Sequence, residues 1–416
     1  MQLPIPPELS DQIIDHLDQD KLTLASCSLV SRSWHNRSRY RLFHSILIRE
    51  SSRLEAFLAY LPSASIRTYV RNVTLGDPRK EVDFRKMSIG PTSLALLSEL
   101  LPQLSNLFLL HMTWDSDEHI NPPSQNCKSA SSPCEYLDHL TLCGVMNAKG
   151  KPLATYEIVS VLRLFATIDR IQVASCQIAF DEPTEDTMVA EDAATLPEIS
   201  TLWLAYSPAN TRLLHLFRNS GLAKSLEAVD VHASQWSTVL ALGALIREIG
   251  PNLTYLAVCY KIVAPNSGET VDEFRHALSV SSCSSLSRFH VSVLLRPGSP
   301  VVSLWQWDAM IALLQDVPAE LITHIELSFI VENYPNPDDA VTQLTQFNWK
   351  RLERLLPRFR KLEGIVITRS EVETPSLVGN KIWTVAAQRL SSLTKKKIPL
   401  SGRHYIWKAE KSVSVN

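Results

Sequence analysis

The 416-residue sequence has no apolar run near the ~20 residues that a membrane-crossing helix needs, so no membrane partner is expected. It also has little net charge, with 41 Lys and Arg against 43 Asp and Glu. That balance removes the global field that would steer a chain to nucleic acid or an anionic surface. Seven cysteines (Cys27, Cys127, Cys134, Cys143, Cys176, Cys259, Cys283) include no CxxC pair. An odd count without such a pair argues against a disulfide framework and a zinc ribbon. Cys127 and Cys134 flank a loop and could bridge, but reduced thiols are the expectation. GxSxG, GxxxxGK[ST], HExxH and GxGxxG are all missing, which leaves no signature of hydrolase, nucleotide or cofactor chemistry. Pro4, Pro6 and Pro7, followed by Glu8 and Asp11, lack the basic start and apolar run of a signal peptide. An intracellular, soluble chain in cytoplasm or nucleus, with no cofactor, is expected.

What the sequence has is a repeat. Three apolar residues spaced ΦxxΦxΦ recur ten times: Val70/Val73/Leu75, Leu104/Leu107/Leu109, Leu137/Leu140/Leu142, Ile168/Ile171/Val173, Ile199/Leu202/Leu204, Leu226/Val229/Val231, Leu253/Leu256/Val258, Leu286/Phe289/Val291, Ile322/Ile325/Leu327 and Leu362/Ile365/Ile367. The step between copies drifts from 27 to 40 residues. Between copies lie segments of helical period, among them 92–101, 155–165, 236–249, 307–317 and 349–359. Strand then helix, repeated, predicts α/β architecture with parallel strands and crossover helices. One such unit cannot bury its apolar face alone, so the units must stack as a solenoid. Residues 66–370 resemble the longer, irregular intracellular leucine-rich repeats, although the Asn or Cys after the last leucine is mostly missing. The resemblance implies a curved parallel sheet inside and helices outside. Segments 121–134, 181–192 and 332–339 are expected to be loops. Residues 381–397 are expected to form a helical cap, and the chain beyond Trp407 to fray.

The first forty residues carry a different signal. Pro6 and Pro7 suit a helix start, with Ile13, Ile14 and Leu17 on one side of that helix, and a turn follows at Asp18–Asp20. Leu22, Leu24, Ala25 and Leu29 predict a second helix; Val30, Trp34, Leu42 and Phe43 a third. These faces are too few to cover one another, and a domain this small needs a partner. The residues resemble the F-box: Ile5-Pro6-Pro7-Glu8-Leu9 stands at its leucine-proline-x-glutamate-leucine opening, and Leu29-Val30-Ser31-Arg32-Ser33-Trp34 at its leucine-valine-cysteine-arginine-x-tryptophan signature. Ile5 and Ser31 are departures. The resemblance implies a three-helix hook that packs on the Skp-type adaptor of a cullin-RING ubiquitin ligase, with Ile5, Pro6, Leu9, Ile13, Leu17, Leu22, Val30 and Trp34 as contacts. The alternative is that these helices only cap the first repeat.

Strand geometry selects a second candidate surface. With the apolar triad turned inward, the third, fifth and seventh positions of each motif face the other side. They hold His139, Trp203, Asp230, His232, Tyr255, Arg288, His290, His324 and Glu326, which are assigned to an unknown protein target. Trp203 and Tyr255 are the aromatic anchors, and a slip of one residue would place them in the core. His232, His290 and His324 lack the carboxylate or cysteine spacing of a metal site. The basic run Arg32, Arg37, Arg39 and Arg41 is expected to be a solvated face, and Lys395–Lys397 to complement a helix end. A ubiquitin-transferring thiol would need Cys143 or Cys259 beside a histidine, which nothing in the sequence marks. The expected organisation is a hook at 1–48, a solenoid with its cap at 49–397 and a tail at 398–416. The expected role is a non-enzymatic substrate receptor; a repeat scaffold detached from the ligase, or an enzyme with an unrecognised site, remain as alternatives.

Overall fold

A computed structural model describes residues 6–17, 20–78, 86–115, 134–176, 196–205, 207, 209–260, 270–295, 300–331, 337–372, 378–390 and 400–407. The chain is α/β, and its main-sheet strands pair in parallel. It divides into two compact units, the first holding Met1–Gln172 and the second Ile199–Asn416, with the residues between shared out.

The first unit begins with three helices, α1 (Pro7–His16), α2 (Lys21–Val30) and α3 (Arg32–Phe43). Asp20 caps α2 by accepting from the Thr23 amide at 3.0 Å. Ser31, in extended conformation, ends α2 and caps α3. Strand β1 (Ser45–Ile48) follows directly, then β2 (Asn72–Gly76), β3 (Ser88–Ile89), β4 (Asn106–Leu110), β5 (Thr113–Trp114), β6 (Cys134–Cys143), β7 (Met146–Asn147) and β8 (Phe165–Ala174), whose last two residues count with the second unit. Here β1, β2, β4, β6 and β8 follow one another in the main sheet, while β3, β5 and β7 form a small parallel sheet of their own. The chain must turn between the two sheets, and His111 does so with φ of 46°, Gly144 with 62°.

In the second unit β9 (Glu198–Leu204), β10 (Ala228–Ala233), β11 (Tyr255–Tyr260), β12 (Arg288–Leu295), β13 (His324–Val331), β14 (Gly364–Val372) and β15 (Leu400–Trp407) lie in sequence order. The helices Asn210–Asn219, Trp236–Ile249, Val271–Leu278, Pro300–Asp316, Pro337–Gln346, Trp349–Leu355 and Val378–Arg389 connect them.

The triads form the core, as their spacing predicts. All thirty positions except the half-buried Leu362 are no more than 4% exposed. Each such side chain contributes roughly 1.5–3 kcal/mol of transfer free energy. A second feature joins consecutive units. Thr254, Ser287 and Thr323, at the second motif position, each donate a hydroxyl to the carbonyl of the equivalent residue one repeat earlier, at 3.1 Å in every case. Their amides reach the same carbonyls at 2.8–2.9 Å.

Several expectations need correction. The repeat has two strands more than the ten motifs, because β1 pairs with β2 and β15 with β14. The boundary at residue 48 therefore falls at the end of a sheet strand, and residues 400–407 are not a tail. Val30 closes α2 rather than opening α3, since Ser31 breaks the helix. Ile13 and Ile14 do not share a face: neighbours on a helix sit ~100° apart, and Ile14 is fully buried while Ile13 is 47% exposed. Pro337–Asp339 opens a helix instead of a loop, and Cys134 starts β6. The rest of 121–134, 181–192 and 332–339 lies outside the described residues, as do Ile5, Cys127, most of the Asp18–Asp20 turn, Lys395–Lys397 and the chain beyond Trp407.

Candidate binding surfaces

The three N-terminal helices bury little of their own. Ile14, Leu24 and Cys27 pack inward. The tie between α1 and α3 is electrostatic: Asp15 accepts from Arg37 Nε at 2.7 Å and Arg41 Nε at 2.8 Å, with the other Arg37 nitrogen closing a bidentate pair. Arg41 and Arg37 hold the Asp15 carboxyl far below the usual carboxylate range. Arg39 donates to Ser65 Oγ at 3.1 Å and lies over the Phe43 and Tyr69 rings. Much of the basic run is thus internal stapling, which corrects the expectation of a solvated face; within the run, Arg32 is the exposed member.

Because the folded pKa of Asp15 is depressed, its contribution is present above the unfolded value near 4 and fades as pH falls toward the folded one. Asp15→Asn should cost the first unit about 1–2 kcal/mol at pH 7, the Asp15 side chain being 29% exposed and so partly screened. Urea melts should show this difference shrinking below pH 4; a pH-independent difference would refute the electrostatic tie.

The helices leave several large apolar side chains uncovered. Leu29 is 87% exposed, Leu22 85%, Val30 69%, Leu9 51% and Ile13 47%. Pro6 is exposed as well, and Leu17 and Trp34 are half-buried. All the described candidate contacts therefore keep open surface, and Leu29, absent from the candidate set, is the most exposed large apolar side chain among the described residues.

On the strands, the face opposite the triads carries polar rows. In the first unit the third-position row is Ser45, Asn72, Asn106 and His139. The Asn106 amide donates to Asn72 Oδ1 at 2.7 Å, and Asn72 donates to Ser45 Oγ at 2.9 Å. His139 meets Thr141 Oγ1 at 3.2 Å and the Phe108 ring edge-on. Burial and the Arg170 charge keep its pKa below the ordinary histidine value.

The other eight candidates lie on the second unit. Its third-position row runs Tyr255, Arg288, His324; its fifth runs Trp203, Asp230, Ala257, His290, Glu326. Leu202 and Leu204 are fully buried while Trp203 keeps exposed surface. The strands have therefore not slipped by one, and Trp203 and Tyr255 stand outside the core. His232 does not join them. It sits in the seventh-position row with Cys259, Ser292, Ser328 and Thr368, all buried. Extensions of β12 and β13 close that row, where Leu294 and Ile330 cluster with Cys259.

The fifth row is polar and partly desolvated. His290 Nε2 meets Ser328 Oγ at 2.7 Å, and its Nδ1 lies 3.5 Å from the Tyr255 hydroxyl. Burial lowers its pKa below the ordinary histidine value. Thr368 donates to Glu326. The Asp230 carboxyl has no donor among the described residues, and burial, with the Glu326 charge, pushes it up to about 7. Beside it in the ladder, the Trp203 indole N–H has no acceptor among the described residues. His324 lies 4.0 Å from Glu363. Among the described residues no three His, Cys, Asp or Glu side chains gather as a metal site, and no helix is long and apolar enough to cross a membrane.

For Asp230 the folded pKa is raised, so the protonated form is favoured on folding and stability falls as pH rises from about 4 to about 7. Asp230→Asn should therefore stabilise the second unit at pH 8 and leave it unchanged at pH 4. The side chain keeps some exposed surface, so water screens the penalty to about 1–2 kcal/mol. Thermal melts at the two pH values check the sign.

No family model matches the chain, and no curated protein is similar to it.

Proposed function

We propose that the chain is the substrate-recognition subunit of a Skp-cullin-F-box ubiquitin ligase. In this reading the three N-terminal helices are the F-box hook, and the strand–helix repeats are an irregular leucine-rich-repeat solenoid that presents its inner sheet face to a target protein. The observation that carries the reading is the set of Leu9, Ile13, Leu22, Leu29 and Val30, each close to half exposed or more on helices that Ile14, Leu24, Cys27 and the Asp15 clamp already hold together. Exposed apolar side chains gathered on so short a segment are characteristic of an interface whose other half is another chain.

The receptor contributes proximity rather than chemistry. Ubiquitin transfer belongs to the RING-bound enzyme, and holding the target near it converts an encounter into an effectively intramolecular step. On the second unit, Trp203 and Tyr255 supply the aromatic anchors, while Asp230, Arg288, His290, His324 and Glu326 supply polar specificity; His139 serves the same face of the first. Such a protein works in the cytoplasm or nucleus, where the ligase is.

Co-expression with a Skp-type adaptor tests the proposal. A soluble 1:1 complex that survives size exclusion is expected. A well-behaved monomer that ignores the adaptor would favour a repeat scaffold with no place in the ligase.

A further inference from the structure

Cys143 ends β6 with its side chain half-buried, whereas Cys27, Cys176, Cys259 and Cys283 are buried. Its Sγ lies 4.0 Å from Nε2 of His111. Three features fix that contact. The His111 amide donates to the Cys143 carbonyl at 2.7 Å, tying the two backbones together. His111 adopts a left-handed conformation with φ of 46°, which turns its side chain out of the strand direction. Gly144 then leaves room for the ring, since a Cβ there would come within 2.3 Å of His111 Nδ1. A side chain at 144 would push the imidazole off the thiol.

From this geometry we infer that Cys143 and His111 form a thiolate–imidazolium pair, making Cys143 a site of covalent modification by soft electrophiles and hydroperoxides. The thiolate is the nucleophile in such chemistry, and an adjacent imidazolium stabilises it. With hydrogen peroxide, the Cys143 sulfur attacks one peroxide oxygen, the S–O bond forms as the O–O bond breaks, and the His111 proton passes to the leaving hydroxide. The products are a sulfenic acid, water and a neutral imidazole; sulfur is oxidised by two electrons and peroxide reduced by two. Cys283 shows the opposite environment: buried, its thiol is pushed up to about 12.

Among the described residues, charged and titratable groups on the flanking elements include Asp77, which follows the last β2–β4 ladder pair Gly76–Leu110 and lies 3.6 Å from Arg49, and, further back on the β6 and β8 side, Asp138, His139, Asp169 and Arg170. Cys143 occupies the seventh position of its motif, on the strand face that also bears His139. Modification there would alter the surface assigned to the target.

The test uses the full chain and iodoacetamide, with Cys143 alkylation followed by peptide mass spectrometry from pH 5.5 to 9. Folded wild type should react at pH 6.5 about tenfold or more faster than the same cysteine in urea, where a thiol titrates near 8.5. His111→Asn, which tolerates the left-handed backbone, should lose that advantage, and its sulfenic acid yield after dilute peroxide should fall in parallel. Equal rates in wild type and variant would overturn the pair. So would a folded-state midpoint at the unfolded value, a reading on wild type alone that stands even where the variant does not fold.

Discussion

Changing Ile13 and Leu22 together to Asp should abolish adaptor binding while leaving the fold intact. Both side chains are largely in water, at 47% and 85% exposure, and substitutions at such positions usually shift stability by no more than ~0.5 kcal/mol. At an interface the same residues would be desolvated anchors, each worth about 2 kcal/mol on truncation. A carboxylate introduced there adds the cost of burying an unpaired charge. Two such changes give ~4 kcal/mol or more, about a thousandfold in Kd. Titration calorimetry of the co-purified adaptor against each variant, with melting curves alongside, measures both halves of the claim. Ile14→Asp is the contrasting case: fully buried, it should unfold the three N-terminal helices. An Ile13/Leu22 double variant that binds like wild type would remove the interface from these helices.

The sequence exposed the parts of the fold that depend on period and concealed those that depend on distant neighbours. The ΦxxΦxΦ triads repeat the same local demand ten times, so their burial could be read without knowing what covers them. The two strands it hid escaped notice for identifiable reasons. In β1 the triad Phe43/Ile46/Ile48 is complete, and Ile46 and Ile48 align with Val73 and Leu75, but Phe43 also ends α3 and reads as part of that helix. In β15, Gly402 stands opposite Ile367, where a third apolar residue was required. His232 obeyed the alternation yet was buried, because alternation fixes a face and not the depth at which neighbouring strands extend over it. Arg37 and Arg41 looked like solvent-facing charge until α1 brought Asp15 to them across 22 and 26 residues. The Cys143–His111 pair spans 32 residues and two strands. The signal that could have found it was the ladder: the two residues fall one step apart in register on successive repeats.

Gly243→Ala should be among the most destabilising single-methyl changes in the second unit, and the sign is what makes it informative. Gly243 lies within the Trp236–Ile249 helix, where propensity alone predicts that Ala stabilises by ~1 kcal/mol. Geometry predicts the reverse. A Cβ at 243 would come within 1.6 Å of the Ala277 carbonyl oxygen and 2.6 Å of its carbon. Those are backbone atoms of the Val271–Leu278 helix, so no side-chain rotation relieves the clash. The carbonyl is also held by Arg247, one turn further along the same helix, whose Nη1 reaches Ala277 O at 3.4 Å and Ser279 Oγ at 3.0 Å. The helices must part, which loosens Leu242, Ile246, Phe274 and Leu278, all fully buried. Overpacking of a close-packed core costs roughly 1–3 kcal/mol and more where the obstacle is rigid, so about 3 kcal/mol or above is expected here. Leu240→Ala, on the exposed side of the same helix, should change stability by less than ~1 kcal/mol and serves as the control. Urea midpoints for the three proteins decide the matter: a Gly243→Ala variant as stable as wild type would mean that the two helices are not in the contact that holds this unit's core together.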